Sequence, residues 1–179
     1  PIKGTKNPQK MLQCGVPFTK KPVALQFDYK VKMSDRENRI RATGFSKITD
    51  VPGKDYPAAI LLLQKRWEDA NGNVYAKRIG TMVTYYYHST DWKNNVTYEI
   101  MYGDITNRPE YKAHMMRLQA TESYTVNSKG ESVPIHEVAW GDENDVPTHM
   151  YIQFTSSHGG AYIGSPGNTL WVDNVKLVY

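Results

Sequence analysis

One cysteine, Cys14, stands in 179 residues. No intrachain disulfide can form, and no zinc site can be built from several thiolates. No apolar stretch approaches the ~20 residues that cross a bilayer as a helix; the longest, 58–63, has the length of a strand. Helical periodicity is almost absent. Only 109–118 offers it, with Tyr111, Met115 and Leu118 on one stripe, Asn107 as a cap and Pro109 in the first turn, so a single short helix is expected there. The chain also lacks a phosphate loop, a dinucleotide glycine fingerprint and a Gly-x-Ser-x-Gly elbow. Its five histidines, His88, His114, His136, His149 and His158, are scattered with no pair at metal-ligand spacing. There is no repeat and no low-complexity tract. With 40% hydrophobic and 22% charged residues the composition is that of a globular chain, which argues against disorder. Its length suits one domain.

The net charge of +4 is unevenly placed. Seven of the 22 basic residues and one of the 18 acidic ones fall within residues 1–32, which carry +6, and the remaining 147 residues carry −2. A basic arm could touch an anionic surface, but no Lys/Arg stripe continues into the body, so nucleic acid is not an expected partner. The chain begins Pro1-Ile2-Lys3-Gly4, without an initiator Met or the apolar core of a signal peptide. It reads as a mature or truncated product.

What the sequence has in abundance is alternation. Val23, Leu25, Phe27, Tyr29, Val31 and Met33 interleave with polar residues, the mark of a strand with one buried face. A more buried strand follows over 59–67, then an Asn71-Gly72 turn and renewed extended chain from Val74 to Lys77. Further strands are expected at 81–88, 96–102, 150–155 and 170–179. At least seven strands and scarcely any helix predict an all-β, antiparallel β-sandwich of jelly-roll type, as a single domain over 1–179.

Two residue groups suggest chemistry. Glu137, Asp142, Glu143 and Asp145 surround Trp140 in what reads as a surface loop. Two acids across a cleft, ~5 to 9 Å apart, would serve glycoside hydrolysis; a solvated loop around one anchored Trp has the same appearance. The second group is aromatic: 13 Tyr, 4 Trp and 4 Phe. Sugars expose apolar C–H faces that rings can stack on, with hydroxyls around the rim for Asp and Asn to hold. Candidate ligand-binding residues are Tyr85 and Tyr87, which share a face of their strand while Tyr86 takes the other. Tyr151 is another, opposite in parity to Met150, Ile152 and Phe154. Trp140 and Tyr162, in Gly/Asp/Asn-rich loops, join them with Asp142 and Asn144. Asp173 shares parity with Trp171, Val175, Leu177 and Tyr179, and a carboxylate on an apolar face needs compensation. A structural Ca²⁺ would supply it; so would a β-bulge that turns the side chain outward, or a hydrogen bond to a neighbouring loop.

The closing stretch 151–179, with its Ser156-Ser157 pair, glycine-rich loop and Leu170-Trp-Val-Asp-Asn-Val175 strand, resembles the end of the carbohydrate metabolism domain family of glycan-foraging gut bacteria. Gly15-Val-Pro-Phe18, leading into the strand at 23–33, is similar to that family's entry into an early strand. Trp92 is similar to a structural Trp that opens a strand in jelly-roll carbohydrate-binding modules. Asn174 and Asn168 stand where the family usually has Asp and Ser. The resemblance implies a galactose-binding-like jelly roll, with N-terminal strands missing from this chain or supplied by another. It implies a secreted or surface-anchored protein held at the outer membrane through a lipidated N-terminal segment. The expected function is non-catalytic carbohydrate binding, with a polysaccharide and other surface proteins as partners. The alternatives are a structural, protein-binding β-domain of a surface lipoprotein and a glycoside hydrolase on the same scaffold.

Overall fold

The structure, a computed structural model, describes residues 7–43 and 47–179. Strands make up 51% and helix 5%, an all-β fold of the sandwich and jelly-roll type. In chain order the strands are β1 Val16–Pro17, β2 Ala24–Lys32, β3 Arg39–Thr43, β4 Lys47–Val51, β5 Ala58–Glu68, β6 Val74–Tyr85 and β7 Thr90–Glu99. Then follow β8 Met101–Tyr102, β9 Tyr124–Val126, β10 Ser132–Trp140, β11 His149–Thr155, β12 Ile163–Gly164 and β13 Thr169–Val178. A 3-10 turn spans Pro8–Met11, and the one α-helix among the described residues, α1, spans Ala113–Met116.

Three sheets result: a seven-stranded one of order β1-β11-β5-β6-β10-β9 with β8 paired to β6, and two of three strands, β12-β3-β4 and β13-β2-β7. The pairings β1–β11, β9–β10, β6–β8, β3–β12, β3–β4, β2–β13 and β2–β7 are antiparallel, and β6–β10 is parallel. The chain divides into two compact units. One runs to Val23 and includes Leu61–Met82 and Ile100–Ile152; the other comprises Ala24–Ile60, Val83–Glu99 and Gln153–Tyr179.

The first unit has Leu61, Leu62, Leu63, Ile79, Ile105 and Ile135 fully buried. The apolar run of β5 is closed on both faces, as a central strand should be. Gly80, in the middle of β6, permits close packing: a Cβ there would lie 3.0 Å from both Ile100 Cγ2 and Leu63 Cδ1. In the second unit Phe27 of β2 stacks on Tyr98 at 5.2 Å and meets Phe154 of β11 edge-on at 5.0 Å. Tyr29 packs on Tyr86 at 4.6 Å. The buried face predicted for 23–33 is therefore real, with Leu25, Phe27 and Val31 inside, although Val23 is exposed.

Three expectations need correction. The helix over 109–118 shrinks to the four residues of α1. Turns with Arg108 N–H on Ile105 and Tyr111 N–H on Arg108 take up the segment around Pro109, and Lys112 gives α1 no side-chain cap. The two strands expected at 74–77 and 81–88 are one, β6, which ends at Tyr85. Trp140 is the last residue of β10, not part of a loop. Pro134 and the polar His136 hide that strand's alternation, in which Ile135 and Glu137 are buried and Val138 is exposed.

Candidate functional site

The site begins with a carboxylate that water does not reach. Asp55, in the turn before β5, has its side chain fully buried. Its Oδ1 accepts the N–H groups of Tyr56 at 2.9 Å and His158 at 3.0 Å, and its Oδ2 accepts that of Gly159 at 3.0 Å. The Asp55 carbonyl accepts Asn168 Nδ2–H at 2.9 Å. Backbone donors fixed on a buried acid satisfy it in place of water. One side chain thereby ties the 52–57 loop to the Ser-Ser-His-Gly-Gly loop that follows β11. Gly159 is required for this approach, because a Cβ there would fall 2.7 Å from Asp55 Oδ2.

On this anchor sits a cluster of rings. His158 Nδ1 is 2.8 Å from the Tyr56 carbonyl and 3.2 Å from Asp55 Oδ1. Both are acceptors, so Nδ1 carries the proton and Nε2 is the ring's other polar edge. The imidazole lies over Tyr85 with centroids 4.0 Å apart and an interplanar angle of 26°. Tyr56 stacks at 6.4 Å, and Tyr87 meets Tyr56 edge-on at 4.7 Å. Burial pushes the Tyr85 hydroxyl up from its ordinary value, with Tyr87 and Asp55 adding to the shift. It therefore stays protonated at neutral pH. Tyr87 is 43% exposed and presents its ring to solvent. The arrangement can stack flat apolar surface and direct hydroxyl and imidazole groups at its rim.

Two predicted residues, Tyr85 and Tyr87, come together here. Tyr162 lies in the same C-terminal loop region, exposed, at φ 62°, with its carbonyl accepting Ala42 N–H. The sequence reading missed Asp55, Tyr56 and His158. Their only signal was the Ser-Ser-His-Gly-Gly stretch, since a lone Asp-Tyr-Pro turn carries no chemistry by itself.

The other predicted residues lie elsewhere. Trp140, Asp142, Asn144 and Tyr151 belong to the first unit. Trp140 meets Tyr111 edge-on and covers the Arg78 guanidinium, 5.6 Å from its centroid. Asp142 and Asn144 are exposed in a tight turn, where the Asp142 carboxylate accepts Asn144 N–H at 2.8 Å. Tyr151 packs on a small core of Cys14, Val74, Ala76 and Ile135, and burial pushes its hydroxyl up to about 12. Its parity did not carry it outward, because every residue of β11 is half-buried.

Of the acids near Trp140, Glu137 is withdrawn into the interior. It forms a fully buried ion pair with Arg78 and also accepts Gln64 Nε2–H at 2.6 Å and Gln119 N–H at 2.7 Å. All its acceptor capacity faces protein donors, so it cannot serve a sugar as acid or base. Asp145 pairs with Lys65 at 2.8 Å on the surface.

Asp173 is exposed on β13, and its carboxylate accepts Asn174 N–H at 2.8 Å. A bulge between Asp173 and Lys176 shifts the register of β13 against β2. Trp171 and Asp173 therefore share the outer face, while Leu177 pairs with the buried Leu25. The apolar-face conflict that suggested Ca²⁺ is resolved by that bulge. Among the described residues no group of three or more His, Cys, Asp or Glu side chains is placed to hold a metal ion.

Further aromatic surface lies in the first unit, where the exposed Trp67 stacks on Tyr75 at 5.8 Å and Tyr75 contacts His136 at 5.7 Å. Neither protein-family models nor curated proteins give any match to the sequence.

Proposed function

We propose that the chain is a non-catalytic carbohydrate-binding module of a secreted or surface-anchored protein. The observation that carries this reading is the cluster of Tyr56, Tyr85, Tyr87 and His158 on the buried Asp55 anchor. Stacking sites work when the rings are already fixed before the ligand arrives, since ordering them on binding would weaken association. Here Asp55 fixes the backbone under His158, and His158 fixes Tyr85. The resemblance of residues 151–179 to a family of glycan-foraging bacteria supports the same reading and the surface location.

A glycan array probed with the intact protein tests it. Bound sugars should be lost or weakened about tenfold in Tyr87→Ala, the value of one good aromatic contact, with the fold retained at a slightly lower melting temperature, because Tyr87 is 43% exposed and gives up one edge-on contact, with Tyr56. An empty array with a folded sample would overturn it. The protein-binding reading has one observation in its favour: among the described residues β7 and β13 end the order of their sheet, and an edge strand can accept a strand from a partner.

A further inference from the structure

The sheet β13-β2-β7 carries a second set of rings on its outer face. Register pairs Trp171 of β13 with Lys30 of the central strand, and Lys30 Nζ lies 5.5 Å from the Trp171 centroid. On the other side β7 pairs Lys93 with Tyr29 and Thr90 with Val31, so a bulge sets Asp91 and Trp92 together opposite Lys30. Trp171 and Trp92 are 40% and 46% exposed. Adjacent strands lie about 4.8 Å apart, so the two tryptophans, with one strand between them, stand about 10 Å apart along the sheet. That is the reach of a disaccharide rather than of one ring. Lys30 rises between the indoles, and Lys32 follows two residues on along the same face. Among the described residues neither ammonium has a carboxylate within ion-pair distance.

We infer that this face binds a uronic-acid polysaccharide, with sugar rings on Trp171 and Trp92 and carboxylates at Lys30 and Lys32. The placement of charge selects the ligand. Lys30 and Lys32 stand on the central strand and Asp91 and Asp173 on the strands that flank it, so one acid group per ring can meet the lysines, while a chain with sulfates around every ring would also meet the flanking carboxylates. A uronate carboxylate also lies at the rim of its ring, so a ring resting on an indole of an outer strand turns its acid toward the lysines of the central one. The inference rests on the carbohydrate reading for its ligand class, but on different residues from the Tyr87 cluster.

Fluorescence anisotropy of a labelled galacturonate oligomer against the full chain tests it, with a neutral cello-oligomer and dextran sulfate as comparison probes. The expected result is binding of galacturonate that falls about tenfold in Trp171→Ala and again in Lys30→Gln. It should be untouched by Lys47→Gln, which removes the same charge from β4. Loss in Trp171→Ala at unchanged net charge separates stacking from general attraction to a basic protein. Binding that Trp171→Ala leaves intact, or that is as tight for dextran sulfate, overturns the inference. If the cello-oligomer binds and galacturonate does not, this face falls while the carbohydrate reading stands. If neither oligomer binds, and an array of other glycans is blank, both fall.

Discussion

Glu137 shows how far a residue's role depends on its partners. In sequence it is one of four acids beside a tryptophan; in the fold it is the buried counter-ion of Arg78. The Arg78 guanidinium further donates to Thr81 Oγ1 and to the carbonyls of Met116 and Arg117. Removing one partner would leave a charge inside the protein with nothing to balance it, which destabilises by about 3–5 kcal/mol. Arg78→Met should therefore lower stability by that amount in urea unfolding. The double variant Arg78→Met/Glu137→Leu should recover much of it, because neither charge then remains. A loss equal in the single and double variants would mean that packing, not charge, holds the pair. Tyr87 is the opposite case: its ring is 43% exposed and is held by one edge-on contact, with Tyr56, so its removal should cost far less stability.

At the scale of elements, the sheet β13-β2-β7 depends on one acid in its central strand. Asp28 Oδ1 accepts the N–H of Asn95 at 2.6 Å, and its Oδ2 accepts Asn174 Nδ2–H at 2.7 Å. Both asparagines sit at bulges with left-handed backbone, φ 52° and 51°, a conformation that Asn tolerates better than most residues. One carboxylate thus holds a bulge on each flanking strand. The hydrogen bond from Asn174, and then that from Asn95, keep the Asp28 carboxyl below its ordinary value. A lowered folded pKa means that the unfolded chain takes up the proton first. The contribution is complete above about pH 4, the unfolded value, and is lost as pH falls through the lower folded one. The protection factor of the Asn95 amide, which compares its exchange with the intrinsic rate at the same pH, should fall in that acid window for the wild type. It should already be low at pH 7 in Asp28→Ala; protection that ignores both changes would separate the bulge from the acid. The alternation of 23–33 made β2 legible, but nothing in the sequence announced that Asp28 organises its neighbours. Bulges arise from pairing, and pairing joins residues 67 and 146 positions apart.

For the molecule as a whole, the tyrosines divide between interior and surface. Tyr86 and Tyr98 face each other, hydroxyl to hydroxyl at 3.0 Å, and burial raises both above the ordinary phenol range. Tyr151 rises to about 12 for the same reason. A raised folded pKa for an acid means that the unfolded chain loses its proton first. These groups contribute full stability below pH 10, lost as pH climbs through their folded values. Arg66, which desolvation lowers to about 10, acts in the opposite direction, but it is one group against three. The melting temperature should fall steeply between pH 10 and 12, and absorbance at 295 nm should show these tyrosines ionising only as the protein unfolds. Smooth titration of all 13 tyrosines without loss of structure would contradict the burial described.

The sequence by itself determined the class of fold and the positions of β2, β5, β11 and β13, because period-two alternation and a continuous apolar run are local signals of burial. It also limited the chemistry: one thiol and scattered histidines leave little from which to build a metal or nucleophilic centre. It could not say which rings face out, since parity fixes a side chain's face only relative to its own strand. Bulges at Asn95 and Asn174 reset that parity, and β11 is covered on both faces. Only the tertiary structure brought His158 over Tyr85, placed Asp55 beneath them and paired Glu137 with Arg78. Each of those contacts joins residues at least 59 positions apart, and no pattern within a strand encodes it.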